Sequence, residues 1–212
     1  MQSLTLKNIK RHQLVYLTPE ILRDKSSCVD NIEHIPILEE WFSAGHPAII
    51  RRPCFKNDNV YLGVPLPPSM GKLRIAFTVP NKHIKATVLP PFLKECMCSM
   101  PECMQDELSN LLASNLPVRV IGSAAWQALT GLEYMSSSSD VDLLIEVKSK
   151  MELDATDKAL ANWHQDVLHK YDIEIQLTDG SGFLWKEYQQ KSKTILVKQN
   201  SKAVLLERSS LT

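Results

Sequence analysis

The chain has 212 residues, 44% of them hydrophobic and 23% charged, and its 24 basic side chains balance 24 acidic ones. This is the composition of a globular protein, with length enough for one large domain or two small ones. The balanced charge argues against a protein built to grip nucleic acid, which needs a basic excess for phosphate contacts, and no apolar run approaches the roughly 18 residues of a membrane helix.

Met1 to Arg11 mixes Lys7, Lys10 and Arg11 with polar residues and lacks the apolar stretch of a signal peptide, so a cytoplasmic location is expected. Leu14–Leu17 reads as a short strand, and Ile35–Ala44 as a helix that turns Leu38, Trp41 and Phe42 inward and stops at Gly45. Strands follow at 48–52, 60–64 and 73–79; the last alternates, with Leu73, Ile75, Phe77 and Val79 on one face. Pro90-Pro91 breaks the pattern, and the stretch to Pro101 reads as a junction. The five cysteines are odd in number, and Cys96, Cys98 and Cys103 lack the paired spacing of a zinc site, so reduced thiols are expected there.

A helix is predicted over 102–114, then a strand over 118–121, a tight turn at Gly122-Ser123 and a short helix from Ala124 that Gly131 caps. Ser136–Ser139 is a polar tip, and 141–147 a strand. Leu153, Leu160, Trp163, Val167 and Tyr171 recur at helical spacing, which predicts a helix over 153–171. A strand over 173–177, a helix over 183–190 and a hairpin of 194–197 with 203–206 complete the chain.

The segment that carries chemistry is Asp140-Val141-Asp142-Leu143. On a strand, Asp140 and Asp142 share a face, roughly 6.5–7 Å apart at Cα. Two such carboxylates repel, and a hard divalent cation, magnesium (Mg2+), relieves the repulsion. Glu174, alternating with Ile173 and Ile175, is the first choice for a third carboxylate and Asp172 the second. Upstream, Ile121-Gly122-Ser123 joins a strand to a helix, where glycine permits close approach and the helix-start amides favour phosphate. A phosphate turn followed by a metal-binding strand is equipment for displacing diphosphate from a triphosphate.

An apolar residue, Gly-Ser and a following D-x-D strand together resemble the nucleotidyltransferase superfamily, with sixteen residues between Ser123 and Asp140. The expected fold is α+β: a small β-rich domain over 1–92 and a nucleotidyltransferase-like mixed sheet with flanking helices over 93–212. A closer resemblance is to the malonate decarboxylase holo-acyl-carrier-protein synthases, the phosphoribosyl-dephospho-CoA transferases. It is carried by residues 11–15, 47–53, 62–68 and 71–76 and, most distinctively, by 120–131 and Ser138-Ser139-Asp140-Val141-Asp142-Leu143-Leu144.

That resemblance implies transfer of the phosphoribosyl-dephospho-CoA arm from 2'-(5''-triphosphoribosyl)-3'-dephospho-CoA to a serine of the apo acyl-carrier subunit of malonate decarboxylase, with release of diphosphate. Asp140 and Asp142 would hold magnesium, and Glu174 would complete the metal site or act as general base. Gly122 and Ser123, with Arg51, Arg52, Lys72 and Arg74, would meet the triphosphate. Lys186, Lys191, Lys193, Lys198, Lys202 and Arg208 would form a docking face for an acidic carrier. Neither nucleic acid nor membrane is an expected partner. Two alternatives stand beside this reading: another metal-dependent nucleotidyltransferase acting on a small molecule or RNA, and a non-catalytic partner that only docks the carrier.

Overall fold

A computed structural model describes residues 9–56, 58–165 and 167–211; residues 1–8, on which the expectation about a signal peptide partly rests, lie outside the described residues. The fold is α+β, and the chain divides into two compact units, Met1–Pro90 and Pro91–Thr212.

In the first unit, β1 (Leu14–Val15), β2 (Cys28–Val29), β3 (Ala48–Lys56), β4 (Asn59–Pro65) and β5 (Arg74–Pro80) pair antiparallel in the order β1-β3-β4-β5-β2. Alternation explains the central strands: Val60, Leu62 and Val64 of β4 and Ile75, Phe77 and Val79 of β5 are all buried. Helix α1 (Ile35–Ser43) lays Leu38, Trp41 and Phe42 into the same core. The Phe42 and Phe77 rings meet edge-on at 5.8 Å, and Trp41 Nε1 donates to the Pro47 carbonyl at 2.9 Å. Two expectations shift at the margins. Leu73, placed on the buried face by alternation, precedes β5 and is exposed, and the first strand ends at Val15 with Tyr16 exposed.

In the second unit, α2 (Leu93–Cys96) and α3 (Glu102–Ala113) precede β6 (Arg119–Ile121), α4 (Gly122–Thr130), β7 (Val141–Glu146) and α5 (Lys150–His164). Then come β8 (Tyr171–Gln176), β9 (Gly182–Leu184), α6 (Trp185–Gln189), β10 (Thr194–Lys198) and β11 (Ala203–Glu207). The sheet order is β11-β10-β9-β8-β7-β6; β7 and β8 are parallel and every other pair antiparallel. One face of this sheet, carrying Val120, Val141, Leu143, Ile145, Ile173 and Ile175, joins Leu108, Leu111, Leu153, Leu160 and Trp163 of the helices in a single core. Among the described residues, no helix is long and apolar enough to cross a membrane.

Three local readings change. The helix expected over 153–171 spans Lys150–His164, and Tyr171 opens β8. Tyr171 mimicked the helical period because it faces the same core from a strand, its ring 4.8 Å from that of Trp163. The earlier start is set by the Ser149 cap, which accepts from Glu152 N–H. Phe183, expected in a helix, pairs with Ile175 in the sheet, so α6 starts only at Trp185. The junction before Pro101 contains α2, whose Leu93 and Cys96 are fully buried; burial pushes the Cys96 thiol up to about 12.

Glu107 of α3 ties this core to the approach of β8. Its Oε1 accepts from Leu168 N–H at 2.7 Å, and its Oε2 accepts from the Tyr171 hydroxyl at 2.7 Å and meets His169 Nδ1 at 3.1 Å. Burial works to raise the Glu107 carboxyl, but these hydrogen bonds outweigh it and hold the pKa below the ordinary value. Glu107→Gln is expected to cost about 2 kcal/mol near neutral pH, a fall of about 4–8 °C in Tm for a chain of this size. A depressed carboxyl contributes stability that is present above its unfolded pKa and lost as pH falls through its folded one. Melting curves of the two proteins should therefore converge below the ordinary carboxylate range; a constant gap from neutral to acid pH would contradict the tether.

Candidate active site

The site is built where β6 turns into α4. Ile121 ends β6 opposite Asp142 of β7, and the helix begins at once with Gly122 in the left-handed region at φ 65°. A Cβ on Gly122 would lie 2.9 Å from Asp142 Cγ and closer still to Oδ2. Glycine is thus required twice, by its backbone angle and by the carboxylate packed against it. The glycine-serine bend and Asp142 are in direct apposition.

Register then extends the site sideways. Asp142 of β7 pairs with Asp172 of β8, and Leu144 with Glu174. Paired residues share a face, so Asp142, Asp172 and Glu174 all lie on the side away from the helix-covered core, and Asp140 joins them by alternation. The residue alongside Asp142 is Asp172; Glu174 sits one step further along, buried, with Lys198 Nζ 4.0 Å away and Gly182 of β9 against its carboxylate. A Cβ on Gly182 would come within 2.9 Å of Glu174 Oε1.

Two lysines meet the aspartates. Lys170, whose carbonyl accepts from Val141 N–H, continues the β7–β8 pairing one residue outward, opposite Asp140. Its Nζ lies 2.5 Å from Asp140 Oδ2 and 3.7 Å from Asp172 Oδ2. The hydrogen bond to Asp140, and then the charge of Asp172, hold the Lys170 ammonium above the usual lysine range. Lys186 of α6 reaches Asp172 Oδ1 at 3.3 Å. Sequence reasoning did not single out Lys170, because the helix drawn through Tyr171 hid it. The alternation Lys170, Asp172, Glu174, Gln176 was the available signal.

The sixteen residues between Ser123 and Asp140 are organised by one side chain. Gln127 of α4 accepts from Tyr134 N–H and Met135 N–H through Oε1, both at 2.9 Å, and donates to the Ser99 carbonyl through Nε2. Beyond it, Ser136–Ser139 close a turn, with Ser139 N–H on the Ser136 carbonyl at 3.0 Å and Ser136 N–H on Ser139 Oγ at 2.9 Å. The chain thus enters Asp140 from a fixed direction.

The remaining candidates fall elsewhere. Arg51, Arg52, Lys72 and Arg74 belong to the first unit, all exposed. Arg51 lies over Gly63, where its Cδ would be 2.7 Å from an added Cβ, and Lys72 adopts φ 57° in the turn before β5. Of the basic run near the C-terminus, Lys191, Lys193 and Lys202 are exposed. Lys186 and Lys198 turn to carboxylates, and Arg208 stacks 3.6 Å from the Tyr188 ring centre. Trp126 and Trp185 are both buried, and Trp185 Nε1 donates to Asp157 at 2.8 Å. Among the described residues, no three His, Cys, Asp or Glu side chains converge closely enough to hold a metal between them.

The second unit thus combines a mixed sheet with flanking helices, a glycine-led helix start and carboxylates on the adjoining strands. Residues 93–209 match the family model described as the phosphoribosyl-dephospho-CoA transferase MdcG C-terminal domain, and residues 10–90 match that of its N-terminal domain. A phosphoribosyl-dephospho-CoA transferase of Bradyrhizobium diazoefficiens is 33% identical over 203 residues, covering 93% of this chain and 90% of that protein. One of Xanthomonas campestris pv. campestris is 37% identical over 182 residues, covering 83% and 85%. The chain belongs to the phosphoribosyl-dephospho-CoA transferase family and is a transferase. No solved structure gives a significant match to it.

The apposition of Gly122 and Asp142 makes a comparison with Gly45 informative, since Gly45 has φ 78° but nothing within 4 Å of an added Cβ. Gly45→Ala should cost about 1 kcal/mol, the backbone strain alone. Gly122→Ala should cost clearly more and also displace the Asp142 carboxylate. Denaturant unfolding of both variants checks the difference; equal losses would show that the carboxylate gives way freely.

Proposed function

We propose that this chain transfers phosphoribosyl-dephospho-CoA from 2'-(5''-triphosphoribosyl)-3'-dephospho-CoA to a serine of the apo acyl-carrier subunit of malonate decarboxylase, with diphosphate as the other product. The observation that carries the reading is the packing of Gly122 against Asp142, which supports a phosphate subsite at the glycine-serine bend with a carboxylate beside it. Family membership supplies the chemical identity of the group moved.

The amides at the start of α4 and the Ser123 hydroxyl would bind phosphate oxygens of the donor. The acceptor serine Oγ forms a bond to the α-phosphorus as the bond from that phosphorus to the oxygen bridging to the β-phosphate breaks. The electron pair leaves with diphosphate. The serine proton passes to a carboxylate on this face: Asp172 stands alongside Asp142, and Glu174 one step further along.

The donor set suits magnesium. Asp140 and Asp142 offer hard oxygens, and an ammonium already sits on Asp140 as counter-charge. Magnesium commonly binds through one or two carboxylates together with substrate phosphates, so two aspartates suffice without a protein cage of three. When bound, it would supply charge neutralisation to the phosphoryl oxygens.

Mass spectrometry of apo-carrier protein incubated with this chain, magnesium and the triphosphoribosyl donor tests the reading. A mass gain equal to the phosphoribosyl-dephospho-CoA arm on one serine is expected, and an unmodified carrier would overturn it. Asp142→Asn should lower transfer by more than about tenfold while shifting Tm little, because a carboxylate aimed at a metal contributes little to the core. Retained activity would contradict the assignment. Asp172→Asn and Glu174→Gln, compared in the same assay, separate the two candidates for the proton acceptor.

A further inference from the structure

Lys170 and Lys186 come from different elements, the approach to β8 and the first turn of α6, yet both reach Asp172. Their side chains are 58% and 43% exposed, and that of Asp172 is 37% exposed. Ion pairs so exposed contribute little to stability, so the fold gains little from gathering two ammoniums here. Across the sheet the order is bend, Asp142, Asp172, Lys186, while Lys170 sits at the strand ends against Asp140 and Asp172. Cations on long flexible stems thus border the carboxylates that adjoin the bend proposed to receive the reacting phosphate.

We propose that Lys170 and Lys186 bind the diphosphate portion of the donor's triphosphate, a role that rests on the transfer reaction above. A lysine ammonium is a compact point charge that pairs readily with phosphate. With no anion present, Asp140 and Asp172 hold the two ammoniums; a polyphosphate offers them more negative charge and draws them off. As the bond between the α-phosphorus and the bridging oxygen breaks, its electron pair adds charge to the departing diphosphate. Cations placed there stabilise the transition state more than the ground state. Asp172 then has a second part: it competes with phosphate for both lysines.

Calorimetric titration of inorganic tripolyphosphate into the full, metal-free chain at fixed ionic strength tests this. Wild type should bind. Lys170→Ala and Lys186→Ala should each weaken binding by about tenfold, the loss of one charge-assisted hydrogen bond, and Lys186→Arg should retain most of it. Lys158→Ala, on α5, should leave the affinity unchanged. Asp172→Asn should tighten binding, a direction that a merely structural role would not produce. Unaltered thermal melts would show that the variants fold. Absence of binding to wild type, wild-type affinity in the lysine variants, or an equal loss in Lys158→Ala would overturn the proposal. Because the titration needs neither carrier nor donor, it fails separately from the reaction. Lysine-dependent binding by a chain that transfers nothing would overturn the reaction alone. Transfer by a chain whose lysine variants bind tripolyphosphate at full strength would overturn the lysine assignment alone.

Discussion

Asp142 and Asp172 stand side by side because β7 and β8 run parallel and pair without slippage over six residues, Val141↔Tyr171 to Glu146↔Gln176. A slip of one residue would turn Asp172 and Glu174 into the helix-covered core and bring Ile173 and Ile175 out of it. The core forbids that exchange: Val141, Leu143 and Ile145 on one strand and Tyr171, Ile173 and Ile175 on the other are essentially solvent-free. Each such side chain contributes about 1.5–3 kcal/mol when fully buried, and carboxylates in their place would cost more than that unless paired. The apolar side of the sheet thus fixes where the polar side puts its charge.

That arrangement concentrates like charge, and the structure answers with opposite charge from outside the strand pair. Lys170 and Lys186 compensate the aspartates near the bend, and Lys198 approaches Glu174. A site that takes metal and polyphosphate, as proposed above, would need both signs within reach, because the anion that binds must find cations while the cation that binds must find anions. The same few groups serve both needs when they can exchange partners, and exposed pairs exchange at little cost.

The strand layout of both units was largely legible in the sequence. Binary alternation located β4, β5, β7 and β8, and the Gly-Ser bend and Asp140-Val141-Asp142 were readable as local motifs. What local pattern could not supply was register. Nothing near Ile173 says whether Asp172 or Glu174 meets Asp142, since that depends on a strand thirty residues away. The helix over-extended to Tyr171 arose for a related reason: a residue facing the core carries the same hydrophobic signal from a strand as from a helix. Gly122 is readable in the sequence as a turn glycine that lets a ligand approach, and only the three-dimensional pairing of Ile121 with Asp142 reveals the carboxylate that also demands it.

Gln127 has a bearing on how this architecture tolerates change. Its amide grips the chain at Tyr134 and Met135, so the four serines that follow form a short tether between two anchored points. A residue added or removed within that tether would break the Ser136–Ser139 turn and re-aim Asp140 while the upstream anchor stays put. An engineered insertion, such as a reporter peptide, is therefore least welcome there, although the segment is polar and mostly exposed.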